Sequence, residues 1–136
     1  MELFVLLLFG HLFGDYLFQN DWMALNKKEK WLPCLVHCWI YTCWVYIFIT
    51  DLIPQNIITV IIILVGIFLS HLVLDRTNLI EIWFRFAQGR AWKRVRTYSS
   101  KTEEDIALIA FTAIVQTVAD NTIHLVLMYF LCYFLL

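Results

Sequence analysis

The stretch Glu2–Gln19, ELFVLLLFGHLFGDYLFQ, is apolar enough to enter a bilayer, yet it carries His11 and Asp15. Four residues apart on a helix, those two side chains share one face. The same pairing returns as His71–Asp75 in HLVLD and, reversed, as Asp120–His124 in DNTIH. Three of the four histidines therefore have an aspartate one helical turn away, within or at the edge of a hydrophobic segment. This pattern reads as an integral membrane protein built around a buried His/Asp cluster.

Composition agrees. Of 136 residues, 62% are hydrophobic and 15% charged, where a soluble domain sits nearer half apolar. The net charge of −1 gives no general attraction to nucleic acid. Cys34, Cys38, Cys43 and Cys132 all lie in apolar segments without metal-ribbon spacing, and are expected to be buried thiols. The N-terminal run lacks a basic flank and a small-residue cleavage site, so it is expected to be a retained span.

A transmembrane helix needs roughly 20 mostly apolar residues. Spans are expected over about 2–19, 31–51, 57–75 and 110–136, giving an all-α, four-helix transmembrane bundle in a single integral membrane domain of residues 1–136. Pro33 is tolerable in the first turn of the second span. The polar segment 76–102 is expected to be cytoplasmic. Within it Leu79, Ile82, Trp83 and Phe86 follow the spacing of one helix face, which suits an amphipathic helix lying in the interface between spans three and four. The basic run Arg90–Arg96 follows, and beside a span it suits anionic lipid better than nucleic acid. Thr102–Asp105 reads as a capping box opening the last helix. From there to Leu136 a continuous helix would be about 50 Å long, well beyond a ~30 Å hydrocarbon core. Such a helix either projects from the membrane or breaks near Asp120–Asn121.

All ten Lys and Arg residues fall between spans one and two (Lys27, Lys28, Lys30) or between spans three and four (Arg76 to Lys101). By the positive-inside rule both loops are cytoplasmic and both termini outside, in the inner membrane. That topology puts His11, Asp15, His37, His71, Asp75, Asp120 and His124 in one layer of the inner half of the bilayer. Trp22, Trp31, Trp83 and Trp92 flank the spans on that side as anchors. Tyr16 and Tyr41 are placed to donate hydrogen bonds into the layer.

Ionisable groups inside a bilayer are costly and face the bundle interior or a wet cavity. Three readings compete: a helix staple, a proton or ion path, and a metal site. Hydrogen bonds between membrane helices average well below ~2 kcal/mol, a weak reason for seven such residues. The H-x-x-x-D repeat in spans one and three hints at the duplication seen in transporters, but a conduit of four short spans would have to form a homo-oligomer. The donor set suits a divalent metal best, with zinc the expected ion, manganese or iron the alternatives, and one or two ions held. The metal ligands are then drawn from His11, Asp15, His37, His71, Asp75, Asp120 and His124. Gly10 and Gly14 form a GxxxG that lets a neighbouring helix approach beside His11 and Asp15, and Gly66 and Ser70 do the same before His71.

No nucleophile motif is present, so a metal-activated water is the natural nucleophile, with Asp15, Asp75 or Asp120 as general base. Gln19, Arg76 and Asn121 are the candidate substrate contacts. A site ringed by basic residues on the inner leaflet suits a membrane lipid or other anionic amphiphile. The expected function is therefore a membrane-embedded metal-dependent hydrolase. The alternative is a metal-ion or proton conduit, or a small non-enzymatic effector binding a protein partner.

The run HLFGDYLFQNDWMALNKKEK, His11 to Lys30, resembles the signature HLxGDxxxQxxWMAxNK of a family of small bacterial and phage membrane proteins catalogued as a domain of unknown function. The likeness continues at LVHCWIYT around His37, HLVLDR at His71–Arg76 and D-x-x-x-H at Asp120–His124, with Asn121 standing where the pattern has Gln. The resemblance implies the same polar residue set and no particular chemistry. The cluster is also loosely similar to membrane-bound metal-dependent hydrolases and ceramidase-like hydrolases with zinc held by His and Asp, an analogy at the level of donor chemistry.

Overall fold

The computed structural model describes residues 2–54, 56–88 and 103–136, and every regular element within them is a helix. Helix α1 spans Glu2–Leu12 and continues as a π-helical turn over Phe13–Leu17; α2 spans Asp21–Asn26. Helix α3 spans Trp31–Ile49 and ends in a 3-10 turn at Thr50–Leu52. Helices α4 (Ile57–Arg76), α5 (Leu79–Gln88) and α6 (Glu103–Leu135) complete the chain. The basic run Arg90–Arg96 and Thr102 of the capping box lie outside the described residues.

Local chemistry accounts for the helix starts. Asn20 caps α2 by accepting from the Met23 amide at 3.0 Å, and Asn56 caps α4 by accepting from the Ile58 amide at 2.9 Å. Pro33 sits in the first turn of α3, where its missing N–H has no intrahelical partner to lose. The segment Asn20–Lys30, polar for most of its length in sequence, thus folds a short helix of its own.

The chain divides into two compact units, one made of Met1–Thr77 with His124–Leu136, the other of Asn78–Ile123. In the first, α1 packs along α3 at short range. A methyl group added at Gly10 would lie 2.7 Å from the Val45 Cα, and one at Gly14 would lie 2.7 Å from the Tyr41 ring. The GxxxG expectation is met, and with it the reason for glycine: the facing helix occupies the space. Gly10→Ala must push two helices apart and should cost about 1–3 kcal/mol, read as a lower unfolding temperature in detergent. Gly66→Ala meets only the flexible tip of Leu131 at 2.9 Å and should be nearly neutral in the same assay. The core beneath is Leu7, Tyr41, Val45, Ile49, Ile63, Ile67, Met128 and Cys132, with Ile53 at its edge.

Among the described residues, three helical segments are long and apolar enough to cross a membrane: Trp31–Leu52, Ile57–Arg76 and Ala113–Leu135. Each leaves more than half of its length unburied, with Trp39, Ile47, Ile61, Ile62 and Phe130 about half exposed or more. Apolar surface on that scale is consistent with a hydrocarbon surrounding. The first expected span is shorter in helical form. Glu2 to Leu17 makes sixteen helical residues, about 24 Å.

In the second unit, α5 is amphipathic as expected: Leu79, Ile82, Trp83 and Phe86 are all exposed, Phe86 at 92%, while Ile80 is buried. Helix α6 runs unbroken through Asp120–Asn121, which decides between the two expectations for that stretch. Its polar side chains bond back to their own helix. Thr117 donates to the Ala113 carbonyl at 3.0 Å, Asn121 to Thr117 at 2.7 Å and Thr122 to Val118 at 2.7 Å, so their polar groups do not break the i→i−4 ladder.

Candidate metal centre

The π-turn sets the first ligand. The Phe18 amide donates to the Phe13 carbonyl at 3.0 Å, the i→i+5 pattern that recurs at functional sites. Asp15 lies inside this turn, its carboxylate 12% exposed and 3.3 Å from His11 Nδ1. Helix α3 contributes His37 and, one turn on, Tyr41; α4 contributes His71 and Asp75; α6 contributes His124 and Met128. His11, His37, Tyr41, His71, Asp75, His124 and Met128 are all buried.

Two imidazole nitrogens form the centre. His37 Nε2 and His71 Nε2 are 2.9 Å apart. Asp15 Oδ1 lies 3.1 Å from the first and 3.4 Å from the second. Asp75 Oδ2, from another helix, lies at the same 3.1 and 3.4 Å. One pair of nitrogens is thus flanked by two carboxylate oxygens, and Asp15, His37 and His71 offer ligand atoms close enough together to hold one metal ion.

Hydrogen bonding alone satisfies this arrangement poorly. His37 Nε2 has one proton or one lone pair to offer, but three polar atoms of the cluster crowd it within 3.1 Å. Asp15 Oδ1, buried and close to both nitrogens, has no hydrogen bond of good geometry, while Asp75 Oδ2 is paired with the Lys27 ammonium at 3.0 Å. A buried carboxylate oxygen set against two imidazole nitrogens in this way is placed as a ligand is placed. A tetrahedral ion with bonds of about 2.0–2.1 Å spaces its ligand atoms about 3.3 Å apart, against 2.9–3.4 Å among His37 Nε2, His71 Nε2 and Asp15 Oδ1; Asp75 is outside this group of three.

Around the centre the remaining side chains set ring orientation. His124 Nδ1 is 2.9 Å from His71 Nδ1. With His71 Nε2 kept as a lone pair, its Nδ1–H donates to His124, which fixes the tautomer a metal ligand needs. The Tyr41 ring stacks on His71 with centroids 3.6 Å apart and planes 14° from parallel. The Tyr41 hydroxyl lies 3.0 Å from His11 Nδ1 and donates to Met128 Sδ at 3.3 Å. His124 Nε2 stands 3.9 Å from Asp75 Oδ1.

A lysine closes one side. Lys27 Nζ donates to Gln19 Oε1 at 3.0 Å, pairs with Asp75 Oδ2 at 3.0 Å and lies 3.4 Å from His37 Nε2. Arg76 donates to the carbonyls of Lys27, Lys28 and Glu29 and sits 4.6 Å above the Trp31 ring, which holds the end of α2 against α4.

Of the ligand candidates read from the sequence, His11, Asp15, His37, His71, Asp75 and His124 come together in the first unit. Asp120 and Asn121 belong to the second unit. Gln19 and Arg76 contact Lys27 and its neighbours, as described above. Sequence reasoning placed Lys27 in the basic ring around the site without its contact to Asp75, and missed Met128. Met128 had a readable signal, one turn beyond His124 on the same helix face. Tyr41 bears out its expected role; Tyr16 is 52% exposed.

No curated protein and no solved structure matches the chain. One family does, described as "Protein of unknown function (DUF3307)", over residues 3–135. Because that match runs nearly end to end, the chain belongs to this family.

Proposed function

We propose that this is a four-pass protein of the inner membrane whose His/Asp centre holds a divalent ion, zinc the expected one, and hydrolyses an anionic amphiphile at the inner leaflet. The observation that carries the reading is the group of His37 Nε2, His71 Nε2 and Asp15 Oδ1, 2.9–3.4 Å from one another on three helical segments, with Asp75 Oδ2 3.1 and 3.4 Å from the two nitrogens. His37, His71 and Asp15 would hold the ion, and its chemistry there would be to lower the pKa of a bound water so that it can act as a nucleophile at neutral pH. The chain's own residues do the rest. His124 and Tyr41 hold His71, Gln19 holds Lys27, and whichever of Asp15 and Asp75 does not ligate is the general base. Placement of α1 and its π-turn along α3 supports a first pass despite its length, and the Lys/Arg distribution supports cytoplasmic loops. An apolar groove of about 730 Å³ between α4 and α6, lined by Ile61, Gly66, Ser70, Leu127 and Phe134 among others, reaches the residue next to His71. It supports a hydrocarbon tail whose head group reaches the centre.

A second reading rests on a specific feature. His37, His71 and His124 form a chain of ring nitrogens at 2.9 Å steps, the kind of row that relays protons. One experiment separates the two. The purified full chain in detergent is analysed for metal, then assayed on phospholipid in mixed micelles before and after EDTA and zinc re-addition. Bound zinc with chelator-sensitive turnover supports the hydrolase. No metal after reconstitution, together with proton flux in liposomes, would replace it with the conduit.

A further inference from the structure

We propose that the Lys27 ammonium and the metal ion compete for His37, so that an ion entering the centre drives the lysine out toward water. The inference rests on the metal reading above and adds to it a built-in control on loading. Lys27 Nζ lies 3.4 Å from His37 Nε2, an atom of the ligand group itself. An ammonium has no lone pair, so at an imidazole nitrogen it can only donate to the lone pair of the ring. Ligation uses that same lone pair, and Nε2 has one. Contact with Lys27 and coordination of an ion are therefore alternatives at His37.

Charge works in the same direction. A bond of about 2.0–2.1 Å from His37 Nε2 puts the ion within about 5.5 Å of the ammonium. With Lys27 only 19% exposed, two cations that close repel with little water to screen them. The lysine is held inward by Asp75 Oδ2 and Gln19 Oε1, each at 3.0 Å. Asp75 Oδ2 also lies 3.1 Å from His37 Nε2, so a divalent ion bound there gives the buried carboxylate a second and larger counter-charge. Lys27 directly follows α2, and its neighbour Lys28 is exposed. Rotation about its flexible four-carbon stem is enough to bring the ammonium to water. Removing the lysine should then tighten the ion, the opposite of what a lysine that supports a ligand would give.

The test uses the full chain in detergent, treated with chelator and titrated with cobalt(II), whose visible absorption reports its ligands. Lys27→Met keeps most of the stem without the charge. It should bind cobalt roughly tenfold or more tightly than the parent, the scale of one charged contact removed. In the parent, acetylation by the N-hydroxysuccinimide ester of acetic acid is followed at each lysine by mass spectrometry. Lys27 should react several-fold faster once cobalt is bound, with the exposed Lys28 and Lys30 as unchanged internal references. This second measurement needs no variant, so it serves if Lys27→Met does not fold. Equal or weaker cobalt binding by Lys27→Met, or acetylation of Lys27 that cobalt leaves unchanged or slows, would each overturn the proposal. No cobalt bound by either protein would overturn the metal centre itself, a distinguishable failure.

Discussion

His71→Ala is expected to empty the metal centre, with bound zinc falling from about one equivalent to background in elemental analysis. His71 Nε2 approaches His37 Nε2 and both carboxylates within 3.4 Å, at the middle of the ligand set. Loss of a residue that orients a ligand costs about 10–100-fold in affinity, so loss of the ligand itself should exceed about 100-fold. His124→Ala provides the comparison. It removes the partner of His71 Nδ1 and should give the smaller effect of about 10–100-fold, with metal still recovered at high zinc. Equal zinc content in the parent and His71→Ala would show that the imidazole pair is a hydrogen-bonded staple and not a ligand set.

Tyr41→Ala is expected to be the most destabilising single change, lowering stability by about 3–5 kcal/mol, as large aromatic truncations in packed cores do. The ring is buried to 1% exposure, stacks on His71 at 3.6 Å, and leaves no room for a Cβ at Gly14. Unfolding in detergent, followed by circular dichroism, reads this directly. Tyr41→Phe separates the ring from its hydroxyl. The phenyl group keeps the stacking and the packing against α1, but His11 loses one of its contacts and Met128 its hydroxyl donor. About 1–2 kcal/mol is the expected cost, the range for one buried hydrogen bond with a partner left behind. A drop as large as that of the alanine variant would shift the weight from packing to the hydroxyl network.

Much of this centre is legible in the sequence. Histidine and aspartate four apart in an apolar run fall on one helix face by the 3.6-residue period, and that is how His71 and Asp75 come to meet in α4; His11 and Asp15 also meet, at 3.3 Å, with Asp15 in the π-turn. The glycines at 10 and 14 announce a close helix contact for a similar reason, since small residues one turn apart form a groove. Helix period also carries the exposed stripe of α5. The third pairing, Asp120 and His124, lies one turn apart on the continuous helix α6, and His124 Nδ1 reaches His71 Nδ1 at 2.9 Å.

Periodicity and composition are enough for an all-helical chain, its apolar segments, and the list of residues able to bind a metal, because each of these depends only on near neighbours along the chain. Their mutual placement is a matter of packing between helices. Which two nitrogens face each other, that Asp15 and Asp75 flank them from different segments, that Tyr41 lies flat on His71, and that Lys27 turns inward to Asp75 are contacts between residues far apart in the chain. The π-turn at Phe13–Leu17 belongs with them, since its wider winding turns Asp15 relative to a regular helix and carries no mark in composition. Such contacts arise when several helices find one compatible arrangement, so only the tertiary structure makes a centre out of the separate pairs.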